Sequence, residues 1–227
     1  MAGILFITAT VASLVSTALL NPILGKSAYL SAVAANQDQV IAGALCSVIA
    51  ALASASIAVC LYPVLRKHHQ GLALGAVGLR LMEATLYLVG VISVLTLLTL
   101  SQQFVAAGAP ASSFFPTLGS LLLQARDGAN LTAILAFYLG ASLYYSIFYR
   151  SGLIPRWLSG WGLAGVTLGM LAAMLVMFRV TGSLSTTQVV LNLPIAVQEM
   201  VLAVWLIVVG FASPAAAPGP TDQAVPA

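Results

Sequence analysis

Three ionisable side chains sit inside stretches that otherwise read as apolar membrane segments: Arg80 and Glu83 within Leu72–Leu100, and Glu199 within Val189–Phe211. A charge deep in such a segment costs about 2.5–3.5 kcal/mol on insertion scales, so the group normally faces the protein interior and finds a partner. Arg80 and Glu83 are three residues apart, which puts both side chains on one helical face. At 1.5 Å of rise per residue, Arg80 is about 12 Å and Glu83 about 16 Å from the start of their segment. Glu199, on a helix running the other way, is about 18 Å from the end of its own. If the third and sixth segments are neighbours, the three groups share one layer, and Arg80 bridges both carboxylates with a Glu199 oxygen within about 4 Å.

Two chemistries fit such a buried polar cluster. One is an ion network that fixes helix packing. The other is a polar site lining a cavity for a proton, an ion or a lipid headgroup. One cation against two anions leaves a negative charge unmatched, and that remainder argues for function. As general acid or base, Glu83 or Glu199 could serve a membrane-embedded enzyme acting on a lipid. No nucleophile or metal-ligand set lies beside them in the sequence, so the catalytic residues are unknown and an enzyme is the weaker reading beside a small transporter, sensor or accessory protein.

The elements that must position these residues follow from composition. Of 227 residues, 61% are hydrophobic and 6% charged. A soluble domain carries about 25% charged residues, so this chain reads as an integral membrane protein. Helices satisfy their own backbone groups in lipid. The expected class is therefore all-α, a multi-pass bundle of six membrane-spanning helices over residues 1–211. The spans read as Gly3–Leu20, ending at Asn21-Pro22, then Val40–Leu65, Leu72–Leu100, Gly128–Tyr149, Leu158–Phe178 and Val189–Phe211. The first lacks the basic start and small-residue cleavage site of a signal peptide. Residues Ile23–Gln39 form a loop with room for a short interfacial helix. Between Ser101 and Asp127, the run Leu118–Leu123 is too short to span and reads as interfacial or re-entrant. Gly165 and Gly169 have the small-xxx-small spacing that lets a neighbouring helix approach closely. Residues 212–227 are an Ala/Pro-rich tail that cannot bury a core and is expected to be disordered.

Arg66, Lys67, Arg150 and Arg156 fall in two very short loops on the side that six spans assign to both termini; Lys26, Arg126 and Arg179 fall on the other. Positive charge beside helix ends is retained in the cytoplasm, so both termini are expected there, with these four residues on anionic lipid headgroups. The net charge of +3 is too small and scattered for nucleic acid. The bilayer is the one partner the sequence names; a small-molecule ligand and an oligomer are left open. His68 and His69 lie on the first basic loop and read as solvated residues. Cys46 and Cys60 read as buried hydrophobes. No motif for a metal or other cofactor is present. Trp157, Trp161 and Trp205 read as interfacial belt residues.

Several stretches carry a resemblance. Leu61-Tyr62-Pro63-Val64-Leu65-Arg66 precedes Leu72-Ala73-Leu74 and Leu79-Arg80-Leu81-Met82-Glu83-Ala84. Tyr149-Arg150-Ser151-Gly152-Leu153-Ile154-Pro155-Arg156-Trp157-Leu158 follows, then Gln198-Glu199-Met200 through Trp205-Leu206. In this order they resemble the bacterial multi-pass membrane family catalogued as domain of unknown function 4386, up to Phe211. The resemblance implies about six helices and a bacterial cytoplasmic (inner) membrane. It implies no activity.

Overall fold

The computed structural model of the protein describes residues 1–109, 114–182 and 185–212. Seven helices and, among the described residues, no strands make up the fold: α1 (Ala2–Leu24), α2 (Tyr29–Ala35), α3 (Gln37–Leu65), α4 (Gln70–Ala106), α5 (Phe115–Ser151), α6 (Arg156–Met177) and α7 (Thr186–Val208). All but α2 are long and apolar enough to cross a membrane. The expected tail lies beyond Ala212, outside the described residues, as does Pro110 in the α4–α5 connection.

The six long helices close a ring in the order α1, α3, α4, α5, α6, α7 and back to α1. The short α2 packs on α4 at the end remote from the chain termini. In this order α4 and α7 stand opposite each other. They are not the packed neighbours that an Arg80–Glu199 bridge requires.

Local sequence explains most helix limits. His69 is extended and caps α4, its Nδ1 accepting from the Leu72 N–H at 3.2 Å. The α5–α6 turn works because Gly152 takes φ +67°, where an L side chain is strained. Several boundaries differ from expectation, with α4 running past Leu100 to Ala106 and α7 covering Thr186–Val208 in place of Val189–Phe211. Helix α1 continues through Pro22 to Leu24: a proline in the last turn removes a single hydrogen bond, while buried Ile23 and Leu24 hold that turn in the core. Helix α5 is continuous from Phe115, so Leu118–Leu123 is neither re-entrant nor a separate interfacial element. Pro116 falls at the helix start, where proline is tolerated. Arg126 and Asp127 do not interrupt the helix because one faces the ring interior while the other is exposed. With 37 residues each, α4 and α5 are about 55 Å long and exceed the roughly 30 Å of a hydrocarbon core.

Two cores lie at opposite ends of the ring. The one remote from the termini joins Leu20, Leu24, Val33, Val94, Leu97 and Phe115. The one nearer the termini is larger and centres on Tyr138, Tyr144, Tyr145 and Phe148 of α5. Its seam is a matched register. Tyr138 and Tyr145 on α5 lie over Gly169 and Gly162 on antiparallel α6, both pairs seven residues apart. A Cβ at Gly162 would come within 2.6 Å of the Tyr145 ring, and one at Gly165 within 3.0 Å of Ile195 on α7. The close packing expected of Gly165 and Gly169 thus involves two helices: α7 at the first and α5 at the second.

Candidate functional site

Between the two cores lies a cavity of about 510 Å³. Its walls come from α1, α3, α4, α5 and α7, and Arg80, Glu83 and Glu199 all line it. The ring order explains how: α4 brings Arg80 and Glu83 from one side, and α7 brings Glu199 from the other.

On the α4 side, Arg80 Nη1 lies 3.0 Å from Glu83 Oε2, with side chains 3% and 5% exposed. The N–H direction misses the oxygen, so the contact is coulombic and neither atom has a hydrogen bond. Glu83 Oε1 accepts from Ser54 of α3 at 2.8 Å. The guanidinium lies over the Phe137 ring of α5, 4.8 Å from its centroid, a cation–π contact that strengthens away from water. On the α7 side, Glu199 stays beyond the ion-pair limit from Arg80. Its Oε1 is enclosed and has no hydrogen-bond partner among the described residues. The Tyr144 hydroxyl lies within reach of Glu199 and Tyr145, and neither contact is aligned as a hydrogen bond. Arg80 Nε makes a further unpaired buried donor. The three ionisable residues thus share a cavity but not a bridge: Arg80 pairs with Glu83 alone.

Beyond the charged layer, Tyr87, Gly90 and Asn130 line the wall. Arg126 lines it too, paired with exposed Asp127 at 3.2 Å. Ser16 and Ser47 share a 2.6 Å hydrogen bond between α1 and α3.

Charge alone did not point to several of these residues. Ser54, Tyr144, Asn192 and the α1 hydroxyls were unassigned by sequence, yet a signal existed. Gln188, Asn192 and Glu199, spaced four and seven apart, make one polar stripe on an apolar helix, and Thr10, Ser13 and Thr17 make another on α1. The α7 stripe is tied down by hydrogen bonds. Tyr138 donates to Asn192 Oδ1, Asn192 Nδ2 to the Gln188 carbonyl at 2.8 Å, and Gln188 Nε2 to the Ala172 carbonyl. One residue before Glu199, Gln198 accepts from Tyr145 and donates to the Leu158 carbonyl at 3.0 Å. These bonds fix the rotation of α7 and aim Glu199 into the cavity.

The basic residues of the short loops lie elsewhere. Arg66, Lys67, Arg150 and Arg156 are exposed at the end of the ring that carries the termini. His68 and His69 are exposed beside them. Cys46 and Cys60 are free, and Cys60 is exposed, not buried as expected, because its side of α3 faces out of the ring.

The sequence model of one family, described as domain of unknown function (DUF4386), matches residues 1–210, and the chain belongs to that family. No curated protein matches the chain, and no solved structure does.

Proposed function

We propose that this family member is a membrane-embedded binding protein, acting as a small transporter or sensor, whose cavity takes a molecule carrying a basic amine. The observation that supports it is the imbalance at the deep end of the cavity: one guanidinium, two carboxylates, and a Glu199 oxygen enclosed without a partner. Buried polar groups that serve packing alone are almost always hydrogen-bonded. Here Arg80 Nε and Glu199 Oε1 lack a bond, and both residues line a volume large enough to hold a partner. At the deep end Arg80 is matched by Glu83, so ionisation of Glu199 leaves one surplus negative charge there, which draws a cation and repels an anion. An ammonium on Glu199 answers that charge, and an acceptor atom of the same ligand answers the Arg80 donor. Small-molecule sites typically measure about 300–1,000 Å³ with mostly apolar walls; Tyr87, Phe137 and Tyr138 supply aromatic surface here.

The membrane we assign is the bacterial cytoplasmic membrane, with both termini in the cytoplasm. The exposed Arg66, Lys67, Arg150 and Arg156 at the termini-bearing end support this reading, and at that surface they meet anionic headgroups. A cysteine at His69, in a background lacking Cys46 and Cys60, is expected to resist an impermeant thiol reagent added to intact cells. Efficient labelling reverses the orientation.

The ligand class is tested by melting the purified protein at neutral pH with benzylamine, benzyl alcohol or benzoate. A ligand that binds only the folded state raises the midpoint with concentration. Benzylamine is expected to do so and the other two are not. Stabilisation by benzoate, or by none of the three, contradicts the proposal.

A further inference from the structure

The cavity opens on the side of the ring. Among its lining residues, the exposed ones are Ser13, Leu14 and Thr17 of α1 and Ala196 of α7. Helices α1 and α7 touch near the termini, where Gly3 lies against Ala203 and Ile207, and the cavity mouth separates them farther along. Ser13 is at the middle of α1 (Ala2–Leu24), and Ala196 is at the middle of α7 (Thr186–Val208). In a chain whose six long helices span a bilayer, an opening at mid-helix faces hydrocarbon, not water. The side chains outside it agree: Val11, Val15, Leu193 and Val197 are all exposed.

Polarity is graded along the same path. At the lip, Thr17 Oγ1 already donates to the Ser13 carbonyl at 2.9 Å, so that hydroxyl makes little demand on a ligand. The unmet demand is at the deep end, on Arg80 and Glu199. Ala196 precedes Glu199 by three residues, about 4.5 Å along the axis, so the lip is within a few carbons' reach of a group on Glu199.

We propose that the ligand is an amphiphile that enters sideways from the bilayer between α1 and α7, with its amine on Glu199 and its alkyl chain leaving through the mouth. This rests on the amine-binding reading above and adds the route and the chain.

The test compares dodecylamine with benzylamine, which is small enough to stay inside the lip, on the full chain in phosphatidylcholine nanodiscs. Two variants crowd the mouth from residues just outside it on opposite sides, Leu193→Trp and Val15→Trp. Each is expected to weaken dodecylamine roughly tenfold, equivalent to about 1.4 kcal/mol, and to leave benzylamine affinity unchanged. Unchanged benzylamine affinity also reports that the variant is folded. If dodecylamine affinity is unmoved while benzylamine still binds, the lateral route is wrong and the amine site stands. If benzylamine fails on the wild-type protein, the site itself is wrong.

The wild-type protein gives a second reading that needs no variant. At a pH low enough to protonate Glu199, membrane-dissolved dicyclohexylcarbodiimide is expected to add to its carboxyl, and an impermeant quaternary carbodiimide is not. Modification by the impermeant reagent, or by neither, overturns the lateral route.

Discussion

Along the α5–α6–α7 seam, Tyr138 and Tyr145 pass over the glycines of α6 and end on Asn192 and Gln198, and Gln198 in turn donates to the Leu158 carbonyl. Behind the deep end of the cavity, the neighbouring Tyr144 is just as buried, yet its hydroxyl has no aligned hydrogen bond, and neither do Arg80 Nε and Glu199 Oε1 of the wall. The two regions share α5 and α7, and adjacent residues serve each: Tyr145 and Tyr144 on one helix, Gln198 and Glu199 on the other. The seam closes every bond it opens, which is how polar groups behave when they hold helices in register. The cavity leaves its bonds open around a volume, which is how they behave when the partner comes from outside. The seam also supports the cavity, since it sets the rotation of α7 that turns Glu199 inward.

The largest expected effect strikes the one cation on which the cavity depends. Arg80→Ala leaves Glu83 and Glu199 facing the cavity without a counter-charge, and breaking a buried pair costs about 3–5 kcal/mol. Thermal unfolding in detergent should record a loss of that order. Wild-type stability would mean that the Arg80–Glu83 contact holds nothing together.

Next comes the seam. Gly162→Ala puts a Cβ against the Tyr145 ring, and overpacking of this kind costs about 1–3 kcal/mol. Gly78→Ala is its control, because nothing lies within 4 Å of a Cβ there; that change should be neutral or slightly stabilising, since glycine is a poor helix residue. Equal effects at the two positions would show that the tyrosine–glycine register is incidental.

The finest comparison sets two adjacent tyrosines against each other. Tyr145→Phe strands the Gln198 oxygen and should cost about 1–3 kcal/mol. Tyr144→Phe removes a buried hydroxyl without an aligned bond and should cost less than the roughly 1 kcal/mol of a made hydrogen bond. The two melting midpoints decide it, and a larger loss at Tyr144 would mean that its hydroxyl belongs to the packing.

The helical class was legible because six apolar runs are too long for anything but spans, and Arg80, Glu83 and Glu199 were legible because a charge in such a run is anomalous. Their grouping in one cavity was half legible. Depth along each helix can be counted, but the order in which helices close a ring is set by long-range packing that no local pattern records. So the α4–α7 adjacency failed, although one cavity takes lining from both helices. Residues Arg126, Asp127 and Gly128 looked like a helix start because three non-apolar residues in a row resemble a loop. They continue α5 because one flank of that helix faces a cavity. Tyr138 with Tyr145 and Gly162 with Gly169 share a spacing of seven that is visible in the sequence, although their pairing is not. The stripe of Gln188, Asn192 and Glu199 was there to be read. Single charges drew attention first, and the amides beside Glu199 turned out to be what orients it.

The central claim is that Glu199 is held inward for a ligand and not for the fold. Glu199→Gln keeps the shape and removes the charge, so its melting midpoint, measured with and without benzylamine, tests that claim most directly. The midpoint without benzylamine should match or exceed that of the wild type, and the benzylamine-induced rise should disappear. A midpoint lowered as far as that of Tyr145→Phe, with the benzylamine response intact, would make Glu199 part of the packing and contradict the account.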